Sequence, residues 1–427
     1  MLSKRLFLSS IVLFVLLSSS FIVLVNAEPS WVMWSQTYGG TEDDGDFHLV
    51  YVVETSDGGY AVAGNTESFG AGSSDFWLIK IDASGNMEWN KTYGGAEFDV
   101  PYSLILTSDG GFALAGLTSS FVAGNFNFWL VKTDSHGNML WNKTYGQGIA
   151  SSLVETSDGG YALAGGDRLV KTDRYGNLEW NKTHGGANGD YSDSLVQTSD
   201  GGFTLAGFTT SLGGDDADFW LVKTDESGNM EWSRVFGGEK ADMAESIVQT
   251  SDGGYALVGT TESFASGWKE CWLIKTDDLG NIEWEKTYGG GDADWGHSLI
   301  VTSDGGFALV GESNSFGAGG YDFWLVKTDG SGNIEWSRTY GGPEWDSAES
   351  LVQTSDGGYV LAGFTHSFGL VGSDLYLRSD IWLVRTNEQG IPEFPSSIIL
   401  PLLIAITLVA VIYRKRLHKN SQSSRSY

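Results

Sequence analysis

Apolar and polar residues alternate in short bursts along most of this chain, and the bursts recur. QTSDGGYALVG, Gln249–Gly259, has near-copies beginning at Glu54, Leu106, Glu155, Gln197, Val301 and Gln353. The aspartates of the seven SDGG turns are Asp57, Asp109, Asp158, Asp200, Asp252, Asp304 and Asp356, with spacings of 52, 49, 42, 52, 52 and 52 residues. A fixed internal period takes precedence over any domain count drawn from length. The sixth copy shows the unit. HSLIVT, His297–Thr302, reads as strand A, and SDGG turns it back, Asp-Gly being a strong hairpin signal. FALVGES is strand B, NSFGAGGY a loop, DFWLVKTD strand C, GSGN a second turn and IEWSRTY strand D.

Strand B is built from small residues, as in YALAG and FALVG, which suits sheets converging on a common axis. Strand C carries Trp77, Trp129, Trp220, Trp272, Trp324 and Trp382, and strand D carries Trp89, Trp141, Trp180, Trp232, Trp284 and Trp336. Bulk belongs where neighbouring sheets diverge. The pattern predicts an all-β fold, a seven-bladed β-propeller of four-stranded blades over residues 28–391. The seventh copy stops after strand C, DIWLVRTNEQG. Its missing strand stands at the other end: WVMWSQTYGG, Trp31–Gly40, matches NIEWSRTYGG at the Trp and the TYGG. Residues 31–38 are therefore expected to complete blade seven, which shuts the ring and removes its open edge.

The segment WLVKTDGSGNIEWSRTYGG resembles the tryptophan-docking repeat of quinoprotein-type propellers: strand, Asp, Gly-containing turn, Trp-bearing strand, Gly. The resemblance extends over most of residues 31–386. It implies the fold and interlocked blades; as a packing motif it does not by itself imply a quinone cofactor. WD-repeat propellers are similar in outline, but the repeat consensus here lacks their signature dipeptide.

The ends read as addresses. Residues 1–27, with Lys4, Arg5, an apolar run and Val-Asn-Ala, have the form of a signal peptide cleaved before Glu28. A retained signal anchor is the alternative. Ile398–Tyr413 carries no charge, and Arg414, Lys415 and Arg416 follow at once. This predicts a C-terminal transmembrane helix with a basic cytoplasmic tail within residues 392–427, leaving the propeller outside. Pro392-Glu393-Phe394, the apolar helix and the basic cluster resemble the archaeal PEF-CTERM sorting signal. That resemblance implies an archaeal source, with an archaeosortase that cuts near the motif and transfers the protein to a lipid anchor. A plain transmembrane anchor is the alternative. Either reading secretes the protein and holds it on the outer face of the cytoplasmic membrane.

Acids outnumber bases by 54 to 25, and seven of the bases lie in the two terminal segments. The propeller surface should therefore repel nucleic acid and anionic lipid and attract divalent cations. Cys271 stands where sister repeats have Phe and reads as a core residue. Being alone, it also excludes the adjacent-cysteine disulfide typical of many quinoprotein dehydrogenases.

Strand direction alternates, so the D–A and B–C loops share one face, here the top. Five D–A loops place an acid at one matching position: Asp99, Asp190, Asp242, Asp294 and Asp346. Such an acid can fix its loop by accepting hydrogen bonds from backbone or from Ser103, Ser194, Ser246, Ser298 and Ser350 nearby. It can also join an acidic ring at the channel mouth that binds Ca2+, the one cofactor these residues suggest. Phe98, Tyr191, Trp295 and Trp345 stand beside those acids. An aromatic next to carboxylates can stack on a sugar ring while the acids take its hydroxyls, or it can pack its loop. Blade three, GGDRLVKTD, lacks both the B–C loop and the strand-C Trp, and its D–A loop is short, so a notch in the rim is expected. Sequons at Asn90, Asn142 and Asn181 recur on strand D and are candidates for glycosylation; the alternative is that they are repeat text.

The chain has no zinc spacing, phosphate loop or GxSxG element, and its histidines occupy different repeat positions. These features predict a cell-surface, non-catalytic binding or adhesion propeller, with a glycan or protein ligand on the top face. An extracellular enzyme acting on polysaccharide, a quinoprotein-like oxidoreductase and a structural envelope component are the alternatives. A convergent cluster of non-repeated polar residues would favour an enzyme, and a symmetric acidic rim a binding module.

Overall fold

A computed structural model describes residues 32–389 apart from 46–48, 122–123, 187–188, 214–215 and 370–377. Trp34–Arg385 form one compact unit. Met1–Met33 and Thr386–Tyr427 group separately, and within them only Val32, Met33 and Thr386–Gln389 are described. The expected signal peptide, C-terminal membrane helix and sorting signal lie outside the described residues. No helix among the described residues is long and apolar enough to cross a membrane.

The strands, β1 to β28 in chain order, form seven antiparallel four-stranded sheets. Six sheets run A-B-C-D along the chain, as the turn chemistry predicts. The seventh is ordered β1-β28-β27-β26, so β1 (Val32–Tyr38) takes the place of strand D beside β28 (Asp380–Thr386). The expected seven-bladed propeller and its closure by the N-terminal strand are both present.

Strands B and C are buried along almost their whole length. In the full blades the last glycine of strand B pairs with the strand-C tryptophan, as in Gly259 with Trp272 and Gly311 with Trp324. In blades two and four to seven a side chain at that glycine would meet backbone: a Cβ on Gly311 would lie 2.0 Å from the Trp295 carbonyl. The glycine thus lets strand A of its own blade come close.

Each strand-D tryptophan packs on the strand-B aromatic of the next blade. Trp89–Phe112, Trp232–Tyr255 and Trp336–Tyr359 have ring centroids 6.1, 6.0 and 5.9 Å apart. Trp34–Tyr60, at 6.2 Å, makes the same contact between blade seven and blade one. The strand-D tyrosine adds a hydrogen bond to the next C–D turn: Tyr93 Oη donates to the Gly137 carbonyl at 2.6 Å, and Tyr38 Oη to Gly85 at 2.6 Å.

The same end of the blades is also tied by charge. Lys275, buried on strand C, reaches Asp252 of the SDGG turn at 2.9 Å and Glu283 at 2.8 Å, and donates to the Thr276 carbonyl. Five other blades repeat the lysine–SDGG aspartate pair, and Arg385 replaces the lysine in blade seven. Partial burial pushes the Asp252 carboxyl up, but the Thr250 hydroxyl, Lys275 and the Gly254 N–H outweigh it and hold it at about 2.

Candidate functional site

The matching aspartates are turned into their own loops. Asp99, Asp242, Asp294 and Asp346 are fully buried and Asp190 nearly so. Asp99 accepts from the Thr118 hydroxyl, from Ser120 Oγ at 2.6 Å and from the Gly95 N–H at 2.7 Å. Asp294 does the same with Ser313, Ser315 (2.6 Å) and Gly290 (2.8 Å). Asp190, Asp242 and Asp346 repeat the pattern, and Asp44 extends it to blade one. The hydroxyl donors come from the end of strand B and the B–C loop, not from Ser103, Ser194, Ser246, Ser298 or Ser350. A hydroxyl and a backbone N–H at the loop base need an acceptor, and this carboxylate supplies it. The five acids therefore clamp the top loops and do not form an open acidic rim.

The aromatics beside them are differently placed. Phe98, Tyr191 and Trp345 are 41, 48 and 37 % exposed. Tyr191 stacks on Phe208 at 4.9 Å. The Trp345 indole N–H donates to Glu312, and Tyr321 and Phe364 flank its ring. Trp295 is half-buried, stacks on His297 and carries the Lys269 ammonium 4.2 Å above its ring. Phe98 borders a shallow groove with Glu97, Ser119 and Phe126.

The sequence reading missed a second set of aromatics, in the B–C loops. Phe69, Phe121, Phe264, Phe316 and Phe368 are exposed at one edge and rest on the strand-C tryptophan with the other, at 5.1 Å for Phe69–Trp77. Their signal is a Ser-Phe pair at a fixed offset in five repeats. Among the described residues every exposed Phe and Trp lies in the top loops, including Trp268 at 63 %. The other end exposes Met, Leu, Ile and Val with a single aromatic, Tyr175.

In blade three a substitution replaces the interblade ring contact. Arg168 occupies the position of the strand-C tryptophan. Its guanidinium lies 4.8 Å over the Phe128 ring of blade two and donates to the Gln147 and Tyr145 carbonyls, both at 2.7 Å. A cation–π contact thus replaces the aromatic pair seen elsewhere, as in Phe76–Trp129.

The three sequon asparagines are exposed on strand D. Asn90 and Asn142 also accept the indole N–H of Trp77 and Trp129, at 3.3 and 3.2 Å. Where Ser233 and Ser337 replace them, the indole nitrogens of Trp220 and Trp324 are buried without a partner among the described residues. Asn181 lies in the blade that has no strand-C tryptophan.

Sequence reasoning also missed the centre. The serines that begin strand A tie adjacent blades: Ser152 Oγ accepts from the Leu195 N–H at 3.1 Å, Ser194 from Ile247 at 3.2 Å, and Ser350 from Val52 at 3.3 Å. Just before the serine, the register of strand A against strand B slips in five blades. The residues left over are Tyr102, Asp193, Glu245, His297 and Glu349, and all five line a central cavity of about 390 Å³. A β-bulge re-aims its extra side chain, here toward the axis. His297 Nδ1 lies 2.7 Å from Glu245 Oε2, and Ser347 Oγ donates to Glu349 at 2.6 Å. Burial pulls the imidazole down, but the Glu245 and Glu349 charges outweigh it and hold it protonated, at about 10. Burial, helped by the Glu245 charge, pushes the Asp193 carboxyl up to about 7. The signal was in the aligned copies: the serine is constant while its predecessor reads Tyr, Ser, Asp, Glu, His, Glu from blade two to blade seven.

No family model matches the chain. The regulatory protein FlaEY of Caulobacter vibrioides is 25 % identical over 192 residues, 41 % of this chain but only 18 % of that protein, so the chain spans less than a fifth of this curated relative. The WD40 propeller domain of Doa1 superposes with a TM-score of 0.54 at 12 % identity, over 85 % of this chain and 99 % of that one. Sqt1 of Chaetomium thermophilum bound to the N-terminus of ribosomal protein L10 gives 0.52 at 11 % identity, over 84 % and 100 %. A chain of the mitotic checkpoint complex gives 0.53 at 12 % identity, over 85 % and 94 %. At such identities the likeness is one of fold: the chain is a β-propeller repeat protein similar in architecture to WD40 propellers.

Proposed function

We propose that this protein is a non-catalytic binding or adhesion propeller, anchored at the outer face of a cell membrane, that takes a protein or glycan partner on its top face. The observation that carries the reading is the segregation of exposed rings: every exposed Phe and Trp among the described residues is in the top loops. Exposed aromatics on a rigid scaffold supply contact area at low conformational cost, for a protein side chain or a sugar ring alike. A propeller of the same architecture binding a peptide segment, as in the Sqt1 complex, is consistent with it. The test is a binding screen of the purified full-length chain against envelope polysaccharides and peptides, in Ca2+ and then in EDTA. Saturable binding supports the reading, and loss in EDTA adds a bound cation to it. No binding to any member overturns it and leaves a structural role.

One observation favours a second reading, an enzyme acting on polysaccharide: non-repeated polar groups do converge, at the central cavity. Release of shorter sugars after binding would decide for it.

A further inference from the structure

In the five blades whose strand A carries the register slip, one position has a packing duty and one has none. The serine binds the neighbouring blade. The bulged residue before it serves no repeat contact, and its identity changes from blade to blade while the cavity it faces is shared. Blades four to seven place Asp193, Glu245, His297 and Glu349 there; blades one and two contribute Tyr51 and Tyr102. Three carboxyl groups therefore face one imidazolium. Glu245 is paired with His297. Asp193 lines the cavity, half-buried, and its carboxylate makes no hydrogen bond or ion pair with another described residue. A carboxylate kept in such a place without a partner is costly to the fold, and a bound cation removes that cost.

We propose that this cavity binds a compact organic cation, an ammonium or guanidinium group, held by the Asp193 and Glu349 carboxylates with the Tyr51 and Tyr102 rings against its apolar stem. A carboxylate wall and an aromatic wall are the two surfaces such a group recognises. The cation can be a free small amine or the tip of a Lys or Arg side chain presented by a partner. The site is distinct from the aromatic rim and does not depend on it.

The test is calorimetric titration of the full-length chain at pH 8. The probes are butylammonium, ethylguanidinium and a short peptide ending in lysine, with butanol as the neutral control. The expected result is saturable one-to-one binding of a cationic probe and none of butanol. Asp193→Asn and Glu349→Gln should each weaken binding at least tenfold, while Asp252→Asn at the opposite end leaves it unchanged. Thermal unfolding of each variant confirms that it is folded. Binding of the free cations identifies a small amine as the ligand; binding of the peptide alone identifies a protein side chain. No saturable binding by any cationic probe, or equal binding by wild type and both cavity variants, overturns the proposal. A rim ligand lost in Trp345→Ala with the titration intact locates that ligand at the rim and leaves this site standing. A rim ligand without any cation binding sinks this site alone.

Discussion

Replacing Trp34 by alanine isolates the closure of the ring. Trp34 belongs to the strand that completes blade seven, packs on Tyr60 of blade one at 6.2 Å and donates its indole N–H to the Ala83 carbonyl at 3.0 Å. An indole buries about 150 Å² or more when covered, worth about 4 kcal/mol at about 25 cal/mol per Å². Trp34 is half-buried, which lowers this to roughly 2 kcal/mol. The solvent-facing hydrogen bond adds about 0.5 kcal/mol. Trp34→Ala should therefore destabilise by roughly 2–3 kcal/mol. Trp232→Ala is the internal reference, since Trp232 makes the same contact with Tyr255 at 6.0 Å inside the ring. Urea unfolding followed by far-ultraviolet circular dichroism measures both. Costs that agree within about 1 kcal/mol support a ring closed by β1. A Trp34→Ala midpoint equal to wild type, beside a clear loss for Trp232→Ala, would refute it.

Further outcomes follow from the ties and the cavity. The Asp252 carboxyl sits at about 2 in the folded protein, below its ordinary 3.8, so its stabilisation is present above pH 4 and lost as pH falls through 2. Asp252→Asn should thus cost about 1 kcal/mol between pH 7 and 4, a modest figure because the carboxylate is largely exposed, with the deficit shrinking as pH falls toward 2 and vanishing below it; a deficit independent of pH contradicts the tie. Asp193 is raised to about 7, so its ionisation costs stability as pH rises from 4 to 7. Asp193→Asn should raise the melting temperature at pH 8 and leave it unchanged at pH 4; destabilisation at pH 8 would show that the carboxylate has a structural partner. Arg168→Ala should destabilise by about 2–4 kcal/mol, through its cation–π contact and two carbonyls left without donors, and Arg168→Trp should restore only the ring contact.

The repeat period, the turns and the missing strand made the propeller legible, because each blade must satisfy the same packing. Trp34 could be matched to Trp336 by pattern alone. The same redundancy obscured the site. Asp99 and its counterparts recur at one offset, which looks like a ring of ligands, yet recurrence reflects a shared loop clamp met by Thr118 and Ser120. Asp193, Glu245 and His297 do not recur, so no period marks them. Their convergence depends on a one-residue register slip that the alternation of strand A does not reveal. Arg168 looked like decay of a repeat; its stacking on Phe128 appears only when blades are placed side by side.

The claim that a partner sits on the top face is tested most directly by comparing the two ends of the propeller. Tyr191→Ala with Trp345→Ala strips the top, and Tyr175→Ala with Leu279→Ala strips the other end, all four residues being exposed. Binding of each full-length variant to the ligand found in the screen is measured by surface plasmon resonance. A partner on the top face requires at least a tenfold loss for the top pair and none for the other. A loss confined to the Tyr175 and Leu279 variant would contradict it.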